Sequence, residues 1–569
     1  MAKGAGALKL RASVAALVEK PSADVLIIGG GINGIATAWD LALQGVDVAL
    51  VERGDFVSGA SSASSHMVHG GIRYLENGEF RLVHEAVVER NALIRTAPHY
   101  VRPLRTTIPI FSTFSGILAA PWRLLVSHGT GRPRERGALL IKLGLTIYDT
   151  FSRAGGTVPR HVLRNRWETR AEFAQMNPRT LWTASYFDAS MHNPERLALD
   201  ILHDAEQAGA RAANYVAAVG QSGNNVLLRD AESGTEFEFG AKLVITTAGP
   251  WTDLTNATLG TATAFMGGTK GSHIVLDHPE LLEATHGNEI FFEHSDGRIV
   301  LIYPLNGRVL VGTTDLEADP AQPVVCTDDE IDYFFDLVHH VFPFVALDRS
   351  QIVYTFSGIR PLPSHGDLAP GFVSRDYRIE PGRIGTTPML SLVGGKWTTF
   401  RASAEHLASD ALAILRKQRT RSTQGLAIGG GRDYPMTAQA RADWVTRHRA
   451  GLGGEHADAF VDRMLERYGT RAAELLPLIP AGEPDCVHLP GYTPTELRLL
   501  AEREQTPHLI DLLLRRTSLA FVGGLSRAGL REAATAMAAA HGWTAATVTR
   551  EIDTASTELR DRHRVELTD

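Results

Sequence analysis

At about 100–200 residues per domain, the chain's 569 residues call for two to four domains. With 44% hydrophobic and 21% charged residues, it excludes wholesale disorder, a collagen-like repeat and a coiled coil. Its 57 basic residues against 64 acidic ones, a formal charge of −7, exclude nucleic-acid binding through overall charge and require local cations for any anionic ligand.

Lys3, Lys9 and Arg11 precede a short alanine- and valine-rich piece that weakly imitates a secretory signal. Glu19 and Lys20 end it and a strand follows at once, so residues 1–21 are read as an N-terminal tail and the protein as cytoplasmic. Val25–Ile28 has strand composition, Ile32–Leu43 helical periodicity, and Val46–Val51 reads as a second strand, giving a βαβ unit. Gly29, Gly31 and Gly34 form G-x-G-x-x-G at its first turn. They supply the tight turn, the close approach of a pyrophosphate and the packing of helix on strand. Glu52, at the end of the second strand, is placed to accept hydrogen bonds from a ribose.

The next segment, Gly59–Ser65 (GASSASS) with His69–Gly71 (HGG), is a second glycine- and serine-rich loop suited to an extended cofactor. A helix at Arg81–Thr96 is followed by proline-punctuated extended segments. The apolar stretches Ser115–Val126 and Ala138–Tyr148 are both interrupted, and no window has the 18 or more uncharged apolar residues that a membrane span requires. Between them lies a basic loop, Arg132–Arg136, able to rest on anionic lipid or simply to face solvent. A helix at Pro194–Ala208 and a strand at Lys242–Thr247, leading into TTAGPW with Gly249, return to α/β character. Gly271–Leu276, Glu289–Phe292, Ile299–Tyr303 and Arg308–Gly312 then read as strands of a mostly antiparallel sheet.

LVGGKWTTFR at Leu392–Arg401 repeats the strand, glycine, helix-start pattern, and a helix follows at Thr398–Arg416. Lys417–Gly431 looks like a linker. Beyond it the periodicity is helical, at His456–Tyr468, Pro494–Glu504, Leu509–Arg516, Arg527–His541 and Ala545–Arg562. The fold class is therefore α/β plus α+β. A discontinuous FAD-binding Rossmann-like domain (22–90, 190–265, 358–417) carries an inserted, mostly antiparallel substrate domain (91–189, 266–357). A linker (418–431) leads to an all-helical C-terminal domain (432–569). Cofactor-type turns at the start, middle and end of the chain favour noncovalent FAD over NAD. Cys326 and Cys486, without metal-type spacing, argue against a disulfide framework or a zinc site.

The segments GASSASSHMVHGGIRYLE (Gly59–Glu76), KGSHIVL (Lys270–Leu276), VGTTDLE (Val311–Glu317), SGIRPL (Ser357–Leu362), SRDY (Ser374–Tyr377), GGKWTT (Gly394–Thr399) and RRTSLAF (Arg515–Phe521) resemble the FAD-dependent glycerol-3-phosphate dehydrogenases, in family order. The resemblance implies a fold of the glutathione-reductase and D-amino-acid-oxidase type. It also implies oxidation of sn-glycerol 3-phosphate to dihydroxyacetone phosphate, with electrons passed to membrane quinone from a peripheral position on the inner face of the cell membrane. The expected assembly is a homodimer.

Carried over motif by motif, the substrate pocket comprises Arg73, Tyr74, Lys270, His273, Thr314, Arg360, Arg375 and Lys396. The cofactor contacts begin with Gly29, Gly31, Asn33, Gly34, Glu52 and Arg53. Ser61, Ser62, Ser64, Ser65, His69, Gly70 and Gly71 follow, and Gly249, Gly395, Lys396, Trp397 and Thr398 complete the set. Four cations from distant segments, Arg73, Arg360, Arg375 and Lys396, make chemical sense around a phosphate monoester. The bland alternatives are surface pairing, such as Arg375 with Asp376, or a helix-capping or flavin-side role for Lys396. His69 is the first candidate for the catalytic base and His273 the second, with Arg360 stabilising a developing alkoxide. An oxidase that yields hydrogen peroxide, or a silent flavoprotein scaffold, are the rival readings.

Overall fold

The computed structural model describes residues 10–71, 80–112, 138–152, 158–293, 299–364, 376–449 and 457–568. The first sheet is built on parallel strands in the order Thr387–Val393, Glu236–Thr246, Ser22–Ile28, Val48–Val51, Arg211–Ala213, with Arg378–Ile384 antiparallel at one edge. Leu26 lies between Ala49 and Val244 in register. The near-continuous apolar run of this central strand follows from burial on both faces. One face is covered by helices Ile32–Leu43, Pro194–Gln207 and Phe400–Ile414. The other is covered by an antiparallel ribbon, Val216–Ser222 and Asn225–Asp230, that continues into Glu236–Thr246.

The second sheet is ten-stranded and almost wholly antiparallel. Its longest ladders join Val101–Ile110 to Trp182–Met191, and Met266–Leu276 to Ile352–Pro363. Glu289–Glu293 runs parallel to Val101–Ile110, the exception to the pattern. Helix Asp328–Val341, started by a capping box at Thr327 and Glu330, packs on one face. The helices Ala438–His448, Ala457–Tyr468, Pro494–Arg503, Arg527–His541 and Ala545–His563 share a core with the other face.

The helical unit is fastened to the dinucleotide-type unit by buried charges. Asp55, in the turn after Val48–Val51, accepts hydrogen bonds from both Arg515 and Arg516, and Arg516 is fully buried. Arg515 also pairs with Asp511.

Two segments differ from the expectation of loose chain. Within the tail, Ala12–Glu19 is a helix, because Val14 and Leu17, three positions apart, both pack into the core beneath the first sheet. Lys417 and Arg419, in the connecting stretch, are ion-paired to Asp24 and Asp40, and Ile428 is buried. The basic loop Arg132–Arg136 lies outside the described residues. Among the described residues no helix is long and apolar enough to cross a membrane.

Candidate active site

The turn that leaves the central strand is shaped by what a side chain would hit. Gly29 has φ +117°, and a Cβ there would lie 2.6 Å from the Thr247 carbonyl oxygen. At Gly34 a Cβ would collide with the carbonyl of Gly29. Gly31 caps helix Ile32–Leu43 without a side-chain cap, so amides at the positive end of the helix are left facing outward. The Ile32 amide is taken by Ser61 Oγ at 3.1 Å. Glu52 accepts the amides of Gly30 (2.7 Å) and Gly54 (3.0 Å), and burial pushes its carboxyl above the usual range. Arg53 stacks over Trp251, with its guanidinium carbon 4.6 Å from the ring centroid.

These groups open onto a cavity of about 830 Å³, a size common for organic ligands. Gly29, Gly31, Asn33, Glu52, Arg53, Ser61, Ser62 and Gly249 line it. A glycine cradle closed to any Cβ, a helix N-terminus and a ribose-type carboxylate fit a dinucleotide cofactor in an extended pose.

The late loop closes on the same end. Gly395 has φ +110°, and a Cβ there would sit 2.7 Å from Asn33 Nδ2. Trp397 Nε1 donates to the Ser61 carbonyl at 2.8 Å, and Thr398 Oγ1 to the His69 carbonyl at 3.4 Å. Lys396 lies in this loop near Glu85, whose carboxyl its charge draws down against a larger upward push from burial. Gly70 has a packing reason instead: its amide donates to Asp188, and a Cβ would strike Tyr148. Gly71, at φ +75°, is buried beside it.

Arg360 projects from strand Ile352–Pro363 onto Gly271 of the neighbouring strand. Its guanidinium donates to Asp315 (3.0 Å), Thr313 Oγ1 (2.9 Å) and the Thr314 carbonyl (2.8 Å). Behind it, Lys270 Nζ donates to Glu330 at 2.7 Å and to the Val325 carbonyl at 2.8 Å, while Thr314 Oγ1 donates to Glu330 at 2.7 Å. The structure therefore gives Lys270 and Thr314 an internal partner, and Lys270 is only 8% exposed. His273 stacks on Phe356 (4.6 Å, 9°), and its Nε2 meets Ser65 Oγ at 2.8 Å, leaving Nδ1 buried without a hydrogen bond to any of the described residues. Burial first, then Arg360 and His66, hold this imidazole well below the usual histidine range. Ser64 Oγ accepts the His66 amide at 3.3 Å. Arg73, Tyr74 and Arg375 lie outside the described residues.

Other residues of the cavity were not legible in the sequence. His66 is 5% exposed, and its ring lies 5.1 Å from Phe521 and 6.0 Å from Phe356. Glu195, in the first turn of helix Pro194–Gln207, also lines the cavity, and burial pushes its carboxyl up to about 8. From the helical unit come Arg515, Phe521 and His563. The RRTSLAF motif was the available signal for the first two; His66 was masked by its neighbour His69 in the HGG motif.

Residues 24–409 match the family model of FAD dependent oxidoreductases, and residues 421–548 match that of the C-terminal domain of alpha-glycerophosphate oxidase. The chain is 33% identical over 530 residues to a glycerol-3-phosphate dehydrogenase of Synechocystis sp., covering 89% of this chain and 90% of the relative. It is 31% identical over 520 residues to the D-erythritol 1-phosphate dehydrogenase of Brucella abortus, covering 88% and 95%. Its fold is that of the glycerol-3-phosphate dehydrogenase of Bacillus halodurans complexed with FAD, with a TM-score of 0.73 at 24% identity over 96% of each chain.

Proposed function

Because the chain belongs to the FAD-dependent glycerol-3-phosphate dehydrogenases, we propose that it oxidises sn-glycerol 3-phosphate to dihydroxyacetone phosphate and passes the electrons to membrane quinone. The observation that carries this reading is the seating of the substrate-type groups on the cofactor loop: His273 Nε2 meets Ser65 Oγ at 2.8 Å, Arg360 lies close enough to lower the basicity of that imidazole, and Trp397, next to Lys396, donates to the Ser61 carbonyl at 2.8 Å. Bound FAD supplies a two-electron hydride acceptor.

Around it, Gly29, Gly31 and Gly34 let the pyrophosphate reach the helix N-terminus, and Glu52 takes the ribose hydroxyls. Arg360 and Lys396, with Arg73, Tyr74 and Arg375, hold the phosphate and orient the secondary alcohol. Asp315 fixes the plane of the Arg360 fork in advance. His273 takes the hydroxyl proton on Nδ1 while Ser65 holds its other nitrogen. Arg360 is one cause of the low basicity of His273, so a phosphate dianion beside Arg360 raises that basicity when substrate binds. His69, whose carbonyl is held by Thr398, positions the loop next to it.

The reading extends to a homodimer seated peripherally on anionic lipid at the inner membrane face, as the motif resemblance implies. The relative named for D-erythritol 1-phosphate favours testing a second, longer polyol phosphate. Purified holoprotein given each substrate, with a quinone analogue or with oxygen alone as acceptor, tests the proposal. Quinone reduction that outpaces peroxide formation with glycerol 3-phosphate supports it, and the reverse order assigns an oxidase.

A further inference from the structure

Gly70 is held from behind by a carboxylate buried in the second sheet. The short strand Met67–Val68 pairs with Ser190 and Ala189 of strand Trp182–Met191, and the ladder ends where the chain turns into His69–Gly71. One position further along, the Asp188 side chain continues the contact: its Oδ1 accepts the Gly70 amide at 2.9 Å. The same oxygen accepts Arg90 Nη1, from helix Phe80–Thr96, at 2.9 Å and the Tyr148 hydroxyl, from helix Ala138–Ser152, at 2.5 Å. Arg90 is steadied in turn, donating to the Phe187 carbonyl at 3.0 Å and to Asn91 Oδ1 at 3.0 Å. Arg90, Tyr148 and Asp188 are all buried.

A buried ion pair is weak support for a fold, because desolvating two charges offsets much of their attraction and an apolar pair of similar volume serves as well. Its use here is geometric. A charged acceptor fixed by two further donors fixes the amide it holds. Tyr148 blocks retreat in the other direction, since a Cβ on Gly70 would lie 2.1 Å from its hydroxyl oxygen. On the cofactor side, the His69 carbonyl accepts Thr398 Oγ1 at 3.4 Å, in the late loop whose Trp397 donates to the Ser61 carbonyl. The His69–Gly71 turn therefore stands between this buried network and the two cofactor-type loops.

We propose that Asp188, seated by Arg90 and Tyr148, is a positioning residue: through the Gly70 amide it sets where the His69–Gly71 turn stands against the flavin, and so the rate of the hydride step rather than the affinity for substrate. The proposal rests on the reading above, in which this turn borders the flavin. A displacement of about 1 Å at a reacting centre costs on the order of a hundredfold in rate, so a support outside the site is enough to control it.

The test compares two holoproteins that both lack the Arg90 charge. Arg90→Met with Asp188→Asn keeps an acceptor oxygen for the Gly70 amide, and Arg90→Met with Asp188→Leu does not. Neither leaves one charge of the Arg90–Asp188 pair without the other, so both are expected to fold and to carry FAD. Amide hydrogen exchange across His69–Gly71 is expected to stay slow in the asparagine variant and to speed up in the leucine variant. The limiting rate of anaerobic flavin reduction by glycerol 3-phosphate is expected to fall about tenfold to a hundredfold in the leucine variant, with half-saturation nearly unchanged, and to be recovered in the asparagine variant. A role in folding alone would lower both unfolding midpoints and leave the two rates equal; equal rates, or equal exchange, overturn the proposal. If the leucine variant fails to load FAD, Tyr148→Phe, which keeps Asp188 and its ion pair, is read in the same way: slowed reduction supports the proposal and an unmodified rate overturns it. Failure of glycerol 3-phosphate to reduce the unmodified protein would instead overturn the substrate reading, and the exchange contrast would then decide whether Asp188 holds the turn.

Discussion

Phe521 of the C-terminal helical unit lies with its ring centroid 5.1 Å from that of His66, in the loop that follows the dinucleotide-type βαβ unit. The two residues are 455 positions apart in sequence, yet both line the same cavity. The helical unit is thus part of the wall around the cofactor site. A Phe521→Ala variant loses an aromatic pair worth about 0.5–1.5 kcal/mol beyond its area burial. Thermal unfolding of holoprotein and FAD-stripped protein measures the effect. The variant's stabilisation by FAD is expected to fall, not only its baseline stability.

Burial holds the His66 imidazole down at about 4, against 6.5 when exposed. Between those values the unfolded chain binds the proton and the folded one does not. The stabilising contribution of His66 is therefore complete above pH 6.5 and is lost as pH falls toward 4, in total roughly 3 kcal/mol. Glu195 and Glu289, both pushed up to about 8 by burial, act oppositely, losing stability as pH rises from their unfolded values. Comparing denaturation midpoints of the protein and His66→Asn at pH 7 and pH 4.5 isolates the histidine. The gap in acid sensitivity is expected to narrow in the variant.

At Gly34 a methyl group would have to displace the backbone of Gly29. Gly34→Ala is expected to purify largely without flavin, as read from the ratio of visible to ultraviolet absorbance. Gly45→Ala, where an added Cβ has no neighbour within 4 Å but φ is +70°, strains the backbone far from the cradle and is expected to retain flavin.

Arg360→Ala removes a charged fork from the site and leaves Asp315 without its partner. The loss of a charge-assisted contact, about 1.5–3 kcal/mol, corresponds to a roughly 10- to 150-fold fall in kcat/KM for glycerol 3-phosphate. Arg360→Lys is expected to recover only part of it, because an ammonium cannot bind two oxygens in one plane. Steady-state kinetics on flavin-loaded variants checks both.

Asp55 faces Arg515 and Arg516 with almost no solvent, and the two guanidiniums hold its carboxyl below the usual range despite burial. Asp55→Ala leaves both cations without it, and among the described residues Arg516 then retains the backbone carbonyls of Glu504 and Gln505. The expected cost is about 3–5 kcal/mol in unfolding free energy, measured by denaturant titration.

Local signals were legible in the sequence wherever one segment carried the whole pattern. The helices Ile32–Leu43 and Arg527–His541 and the strand Arg308–Gly312 have the bounds read from periodicity, and the mixed α/β class with a helical C-terminal unit follows from the same pattern. Pro103 and Pro109 read as breaks in the extended region, yet both lie within Val101–Ile110. That strand pairs on its second side only at Thr106 and Thr107, so neither proline has to serve two ladders. Long-range pairing was invisible. Asp376 was read beside Arg375 but pairs with Arg81, and Lys270 finds Glu330 sixty positions away. Burial, which sets the properties of His66 and Glu195, is a property of the assembled core and leaves no trace in local spacing.

The most direct measurement of the central claim is an anaerobic titration of FAD-loaded protein with sn-glycerol 3-phosphate, followed by the visible absorbance of the oxidised flavin. Stoichiometric bleaching with formation of dihydroxyacetone phosphate is expected, and little bleaching by glycerol. A fully flavin-loaded protein that keeps its absorbance in the presence of saturating glycerol 3-phosphate would contradict it.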